Sequence, residues 1–335
     1  MARATVFGAG AMGTAIAMHL ARNANETVLW AGPYDAGVLP ALTTERRHPG
    51  LPEHLPASLV VMGPEDLGRA AKDMDIAVMG AHSGGARTLA RLVRDGAGSL
   101  PLVVSVAKGL EPETGRRMSE VYSEEAGHRR VASLGGPALA PELAQGLHTG
   151  AILAAGGREA AEEVAAAFRS STFHVSVTDD LLGLEYCTVA KNVAAIGLGM
   201  LDGLGKLSGV AHRNAKAALF TVAFQELMRL VVGLGGRPET VGGLAGLGDT
   251  LVTSLGGRNR LYGELLGEGV EPAAALAQLQ GRGMTVEGVD STRDVHRLAS
   301  SKGLRLPFLA LVHAILFDGA PAESIFESLR EPAHD

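Results

Sequence analysis

The chain has one cysteine, Cys187, in 335 residues. A single thiol excludes an intrachain disulfide framework and suits a reducing cytosol. It also lacks an excess of positive charge. The formal net charge of -6 argues against bulk electrostatic binding of nucleic acid, though not against a local basic pocket. No uninterrupted apolar stretch reads as long enough to span a bilayer, so no stable membrane insertion is expected. The opening segment MARATVFGAGAMG enters a Gly-rich motif at once, with no charged region ahead of an apolar run. No signal peptide is expected, and the expected location is cytoplasmic. His82, His212 and His296 lie in unrelated segments, and no histidine–carboxylate spacing points to a metal site. No G-x-S-x-G nucleophile motif occurs.

What is present is a chain of 46% hydrophobic residues, long enough for two domains with substantial cores. In the first half, β-branched runs alternate with Ala/Leu-rich helical stretches. ATVFG (4–8), TVLWA (27–31), DIAVMGA (75–81), LVVSVAK (102–108), RVASLG (130–135), GAILAAG (150–156) and FHVSVT (173–178) read as strands, and TAIAMHLARN (14–23) as a helix. This alternation predicts βαβ units and a mostly parallel sheet. After about residue 179 strand signals vanish and long Leu/Ala/Val stretches take over. The expected architecture is α/β, with a Rossmann-type domain over 1–178 and an all-helical domain over 179–335.

Gly8, Gly10 and Gly13 spell G-x-G-x-x-G between the first strand and the first helix. The first glycine permits the tight turn and the second lets a pyrophosphate approach the backbone. The third lets helix and strand pack closely, and the helix N-terminus offers N–H donors. The motif therefore predicts NAD or NADP as cofactor. No acid or base stands directly at the tip of the second strand. Asp35, a little beyond, favours NAD. Arg46 and Arg47, folding back onto a 2′-phosphate, favour NADP and tilt the reading slightly that way, unless they are a solvated basic pair.

Lys108 ends the strand LVVSVA, where ligand crevices form in open α/β sheets, or else reaches solvent. Lys191 sits in the nearly all-apolar stretch LEYCTVAKNVAAIGLGMLDGLG. Burial there lowers a lysine's pKa and suits proton transfer, unless the side chain snorkels to the helix edge. Asn192 can bridge neighbouring groups without catalysis. Asp249 closes GLAGLGD. It can pair with Lys191, cap the following helix, or both, and Thr253 would share its helix face. In GGRNR, Arg258 offers a planar fork of donors that matches a phosphate, and Asn259 adds an amide. Glu287 either meets a cofactor or begins the next helix.

Taken in order, GAGAMG, VAKGLEPETG, GGPALAPELAQG, AKNVAAIGLGMLDGLG, GLAGLGD, GGRNRLYGELLGEG and VEGVDSTRDV resemble the NAD(P)-dependent glycerol-3-phosphate dehydrogenases over nearly the whole chain. The segment KLSGVAHRNAKAA looks closer to archaeal-type members. The resemblance implies reduction of dihydroxyacetone phosphate to sn-glycerol 3-phosphate, feeding phospholipid synthesis, in a homodimer. It implies Lys191 and Asp249 as catalytic residues. It implies Lys108, Gly136, Thr253, Arg258 and Asn259 around the substrate with them. The cofactor contacts implied are Gly8, Gly10, Ala11, Met12, Gly13, Lys108, Ala140, Arg258, Val286 and Glu287. Departures from the family pattern are Ala138 after GGP, Gly257 before RNR, and Thr221-Val222-Ala223 in place of a TRG. They leave room for a related reductase acting on another small phosphorylated or carboxylated hydroxy-ketone. A dinucleotide-binding sensor without turnover is the remaining alternative.

Overall fold

The computed structural model describes residues 2–23, 25–98, 100–112 and 114–330. They form two compact units, one up to Leu181 and one from Leu182. The first is built on an eight-stranded sheet. Its strands are β1 (Arg3–Phe7), β2 (Glu26–Trp30), β3 (Val60–Met62), β4 (Ile76–Met79), β5 (Leu102–Ser105), β6 (Val131–Gly135), β7 (Thr149–Ala155) and β8 (Phe173–Thr178). The order across the sheet is β3-β2-β1-β4-β5-β6-β7-β8. All neighbours are parallel except β6 and β7.

Alternate residues of each strand feed different cores, as the period of two requires. Val6, Leu29, Val78 and Val104 pack against the helices Ala11–Arg22 and Arg158–Phe168. Phe7, Val28, Ala77 and Val103 pack on the opposite face against Ala86–Ala97 and Met118–Ala126. Both faces are covered, so the central strands carry no polar alternation. Seven strands fall where the β-branched runs predict them. β3 was not anticipated, although Leu59-Val60-Val61-Met62 is a short run of the same kind. The strand order reverses between β1 and β4. Phe7 pairs with Trp30 and Met79, and Met79 with Ser105. The carboxyl ends of β1, β2, β4 and β5 therefore share one edge, where ligands bind in such sheets.

From Leu182 on, the described residues hold helices and no strand. The helix Leu181–Ser208 is the core of this unit, buried almost continuously from Gly183 to Leu201. One 18-residue window of it is apolar enough to cross a membrane by length and composition, although charged residues such as Glu185, Lys191 and Asp202 interrupt the apolar run of the helix. But 83% of that window is buried inside the protein, so its apolar surface is already covered. Its glycines set the packing. A Cβ on Gly199 or Gly203 would stand 2.2 Å from the Arg260 carbonyl oxygen or 2.1 Å from that of Glu264. One on Gly263 or Gly267 would stand 2.0 or 2.1 Å from the Ile196 or Met200 carbonyl oxygen. The helices Leu181–Ser208 and Arg258–Gly267 thus touch backbone to backbone, and larger residues at these four positions would push them apart.

Candidate active site

The glycine loop lies between β1 and the helix Ala11–Arg22, whose N-cap, Gly10, makes no side-chain cap hydrogen bond. Gly8 has φ +104, a conformation that favours glycine. A Cβ on Gly13 would stand 2.3 Å from the Gly8 oxygen. A Cβ on Gly10, by contrast, would meet no protein atom within 4 Å. Packing therefore explains Gly13, whereas the space beside Gly10 is open. Ala11 and Met12 open the helix.

Two residues that sequence reasoning missed brace this loop. Thr14 Oγ1 donates to the Ala9 carbonyl at 3.2 Å. His48, which is buried, also hydrogen-bonds to the Ala9 backbone. Its Nδ1 accepts from Gly50 N at 2.9 Å, so its proton sits on Nε2. Burial lowers the His48 pKa, against the Ala9 hydrogen bond and the Asp35 charge. Sequence position alone gave no link between His48 and a loop 39 residues earlier.

Beside the loop, Gly8, Gly10, Trp30, Gly32, Pro33, Tyr34 and Asp35 line a cavity of about 470 Å³ that continues to Gly80–His82 and Leu92. Gly32 N donates to Asp35 Oδ2 at 2.9 Å, which turns the carboxylate back toward the end of β2. The guanidinium of Arg46 donates to the carbonyls of Pro56 (2.6 Å) and Leu59 (2.9 Å). Arg47 Nε reaches the Leu51 carbonyl at 3.4 Å. The fold-back onto a 2′-phosphate expected of this pair is thus not the arrangement adopted. Arg46 clamps its own loop, and the Pro56 carbonyl also accepts from Leu59 N at 3.0 Å.

Lys108 lies three residues past the end of β5, not within it. Its Nζ donates to the Gly136 carbonyl at 3.3 Å. Met12, Lys108, Gly136 and Ala138 line one small void, and Ala140 opens the helix Ala140–Gln145 nearby in sequence. The loop carrying Lys108 is anchored by Glu111, a residue sequence reasoning passed over. Arg87 bonds Glu111 at 2.5 and 3.0 Å and Glu125 at 2.5 Å. The Arg87 guanidinium holds the Glu111 carboxyl below its usual range. Burial pushes Glu125 up, but hydrogen bonds from Arg91 and Arg87 prevail and lower it too.

In the second unit, Lys191 Nζ stands 2.5 Å from Asp249 Oδ1, with the side chains 4% and 1% exposed. Thr253 Oγ1 accepts from Lys191 at 2.9 Å and donates to the Asp249 carbonyl at 2.6 Å. Asp249 begins the helix Asp249–Leu255, and Thr253 follows one turn later on the same face. The lysine does not snorkel. An ammonium this deep persists only with a partner, and Asp249 is that partner. Of the readings open to Asp249, the ion pair with Lys191 is observed.

Arg258 is exposed at the start of the helix Arg258–Gly267, after Gly257 at φ +99. Asn259 points inward. Its Nδ2 donates to Asn192 Oδ1 (2.9 Å), its Oδ1 accepts from Gly288 N (2.9 Å), and Asn192 Nδ2 donates to Ser291 Oγ (3.2 Å). The asparagines thus tie three helices together one residue away from Lys191. Val286 is buried, and Glu287 is half-buried in helical conformation just ahead of the helix Gly288–Ser301.

Family models for the NAD-dependent glycerol-3-phosphate dehydrogenase N-terminus and C-terminus match residues 3–161 and 180–327. The chain belongs to this family. A glycerol-3-phosphate dehydrogenase [NAD(P)+] of Moorella thermoacetica is 38% identical over 332 residues, covering 97% of this chain and 95% of the relative. One of Chlorobium phaeobacteroides is 38% identical, covering 98% and 97%. The crystal structure of glycerol-3-phosphate dehydrogenase from Coxiella burnetii superposes with a TM-score of 0.87 at 32% identity, covering 98% of this chain and 99% of that one. A ketopantoate reductase family structure from Ralstonia eutropha, at 17% identity and TM-score 0.59, shares the fold. The glycine loop fits the dinucleotide of the dehydrogenase family: the space beside Gly10 and the uncapped helix N-terminus suit a pyrophosphate. The Gly257 that departs from the family's serine sits at φ +99, where glycine is the unstrained choice.

Proposed function

We propose that this chain reduces dihydroxyacetone phosphate to sn-glycerol 3-phosphate with NADH or NADPH, reversibly, and supplies glycerophospholipid synthesis. The observation that carries the reading is the buried Lys191–Asp249 pair, a cation held at 2.5 Å by its carboxylate within an apolar helix. A pure dinucleotide binder has no need of it. The reduced nicotinamide, when bound, supplies the hydride for the substrate carbonyl carbon.

Lys191 Nζ stabilises the charge developing on the carbonyl oxygen and delivers a proton to it; in the reverse direction it takes the alcohol proton. Asp249 keeps that ammonium charged and aimed, and Thr253 fixes its second direction. Arg258, with its fork turned to solvent, takes the substrate phosphate. Asn259 serves this site by holding Asn192, and with it the lysine's helix, against Gly288. Lys108 and Gly136 take the substrate side of the first unit. Gly8, Gly10, Ala11, Met12, Gly13 and Ala140 take the dinucleotide. We take the domains to be 1–178 and 179–335, the assembly to be a homodimer and the location to be cytoplasmic.

The test is consumption of reduced cofactor with dihydroxyacetone phosphate, and separately with ketopantoate. Turnover confined to dihydroxyacetone phosphate supports the reading. Turnover only with ketopantoate, or none with either while a dinucleotide binds, overturns the substrate assignment.

A further inference from the structure

The geometry at the end of β2 points to selection of NADH over NADPH, with Asp35 as the residue that rejects the 2′-phosphate. The inference rests on the dinucleotide reading above and goes one step beyond it. With the pyrophosphate on the Gly8–Gly13 loop, the adenosine half lies over the carboxyl end of the second strand, and its ribose faces the residues just past that end. Those residues are Gly32, Pro33, Tyr34 and Asp35.

Three observations exclude a cation there. First, no lysine or arginine is among the described residues lining the cavity; Asp35 is among them, with His82 further along. Second, Arg46, the nearest arginine in sequence, is engaged by the Pro56 and Leu59 carbonyls and held by a left-handed backbone at φ +53. Third, position 32 cannot carry a side chain while Trp30 stays in place. A Cβ on Gly32 would stand 2.6 and 2.8 Å from the Trp30 ring. The Trp30 ring is buried and packs edge-on against Phe7, so it has no room to yield.

Asp35, meanwhile, is fixed rather than splayed. Its Oδ2 accepts from Gly32 N, and its charge acts on His48, which itself bonds to Ala9 of the glycine loop. The carboxylate is therefore held near the end of β2, on the cavity that Gly8 and Gly10 also line. There it can accept from a ribose hydroxyl and repels a phosphate dianion. Tyr34, 81% exposed beside it, is placed as an open aromatic face and does not alter the charge.

The experiment is calorimetric titration of the full chain with NADH and with NADPH, which reads binding without turnover. Wild type should bind NADH at least about 10-fold more tightly. Asp35→Asn keeps an acceptor for Gly32 N–H and should tighten NADPH about 10-fold, leaving NADH within a few-fold. Tyr34→Arg, at an exposed position that needs no repacking, should also tighten NADPH selectively. Equal or tighter binding of NADPH by wild type would overturn the inference, as would an unchanged NADH/NADPH ratio in Asp35→Asn. Turnover of dihydroxyacetone phosphate that favours NADPH would leave the proposed function standing and defeat only this inference. Binding of neither dinucleotide would defeat both.

Discussion

Removing the carboxylate opposite Lys191 should cost far more stability than a surface ion pair would. The pair is 2.5 Å long, with side chains 4% and 1% exposed, so solvent neither screens it nor replaces it. Asp249→Ala would strand a buried ammonium on the central helix of its unit, a loss of about 3–5 kcal/mol. Lys191→Met strands the carboxylate instead and should lose a similar amount. The double variant strands neither charge and should be no worse than the milder single one. The expected coupling energy is then about 3 kcal/mol. Urea unfolding followed by far-UV circular dichroism measures it. Fluorescence of Trp30, the one tryptophan, reports the other unit and should shift less. Losses that add within about 0.5 kcal/mol would refute the reasoning.

Arg258→Met should raise KM for dihydroxyacetone phosphate at least about 100-fold, because the fork for the phosphate is gone; steady-state kinetics measures it. Gly10→Val should abolish dinucleotide binding by calorimetry while leaving the unfolding midpoint nearly unchanged, since its side chain meets ligand space rather than protein. Glu226 is buried and accepts from the Phe308 and Leu309 N–H groups. Burial nevertheless pushes its carboxyl up to about 7. A raised acid is most favourable to folding below its unfolded pKa. Its contribution should fade as pH rises from about 4.5 to about 7, by roughly 3 kcal/mol in all, and Glu226→Gln should flatten that slope in urea titrations.

The ion pair was legible across 58 residues because Lys191 and Asp249 are each isolated charges in apolar runs, and such charges must find each other. The sheet was legible for a similar reason: strands buried on both faces read as continuous β-branched runs. β3, three residues long after an irregular stretch, gives too weak a signal. The bonds of Asn259 to Asn192 and Gly288 were not legible, because they join three helices that are far apart in sequence. Arg46 stayed open between a 2′-phosphate contact and a solvated pair, because nothing local reveals that carbonyls 10 and 13 residues on would claim its guanidinium.

The central claim is that Lys191 supplies the proton in the reduction of dihydroxyacetone phosphate. It is tested most directly by comparing Lys191→Ala with wild type in two readouts, turnover of dihydroxyacetone phosphate and calorimetric binding of the reduced dinucleotide. The expected result is a fall in kcat of at least about 1,000-fold with dinucleotide binding intact. Near wild-type turnover, or equal loss of turnover and binding, would contradict the account and leave the lysine a structural role.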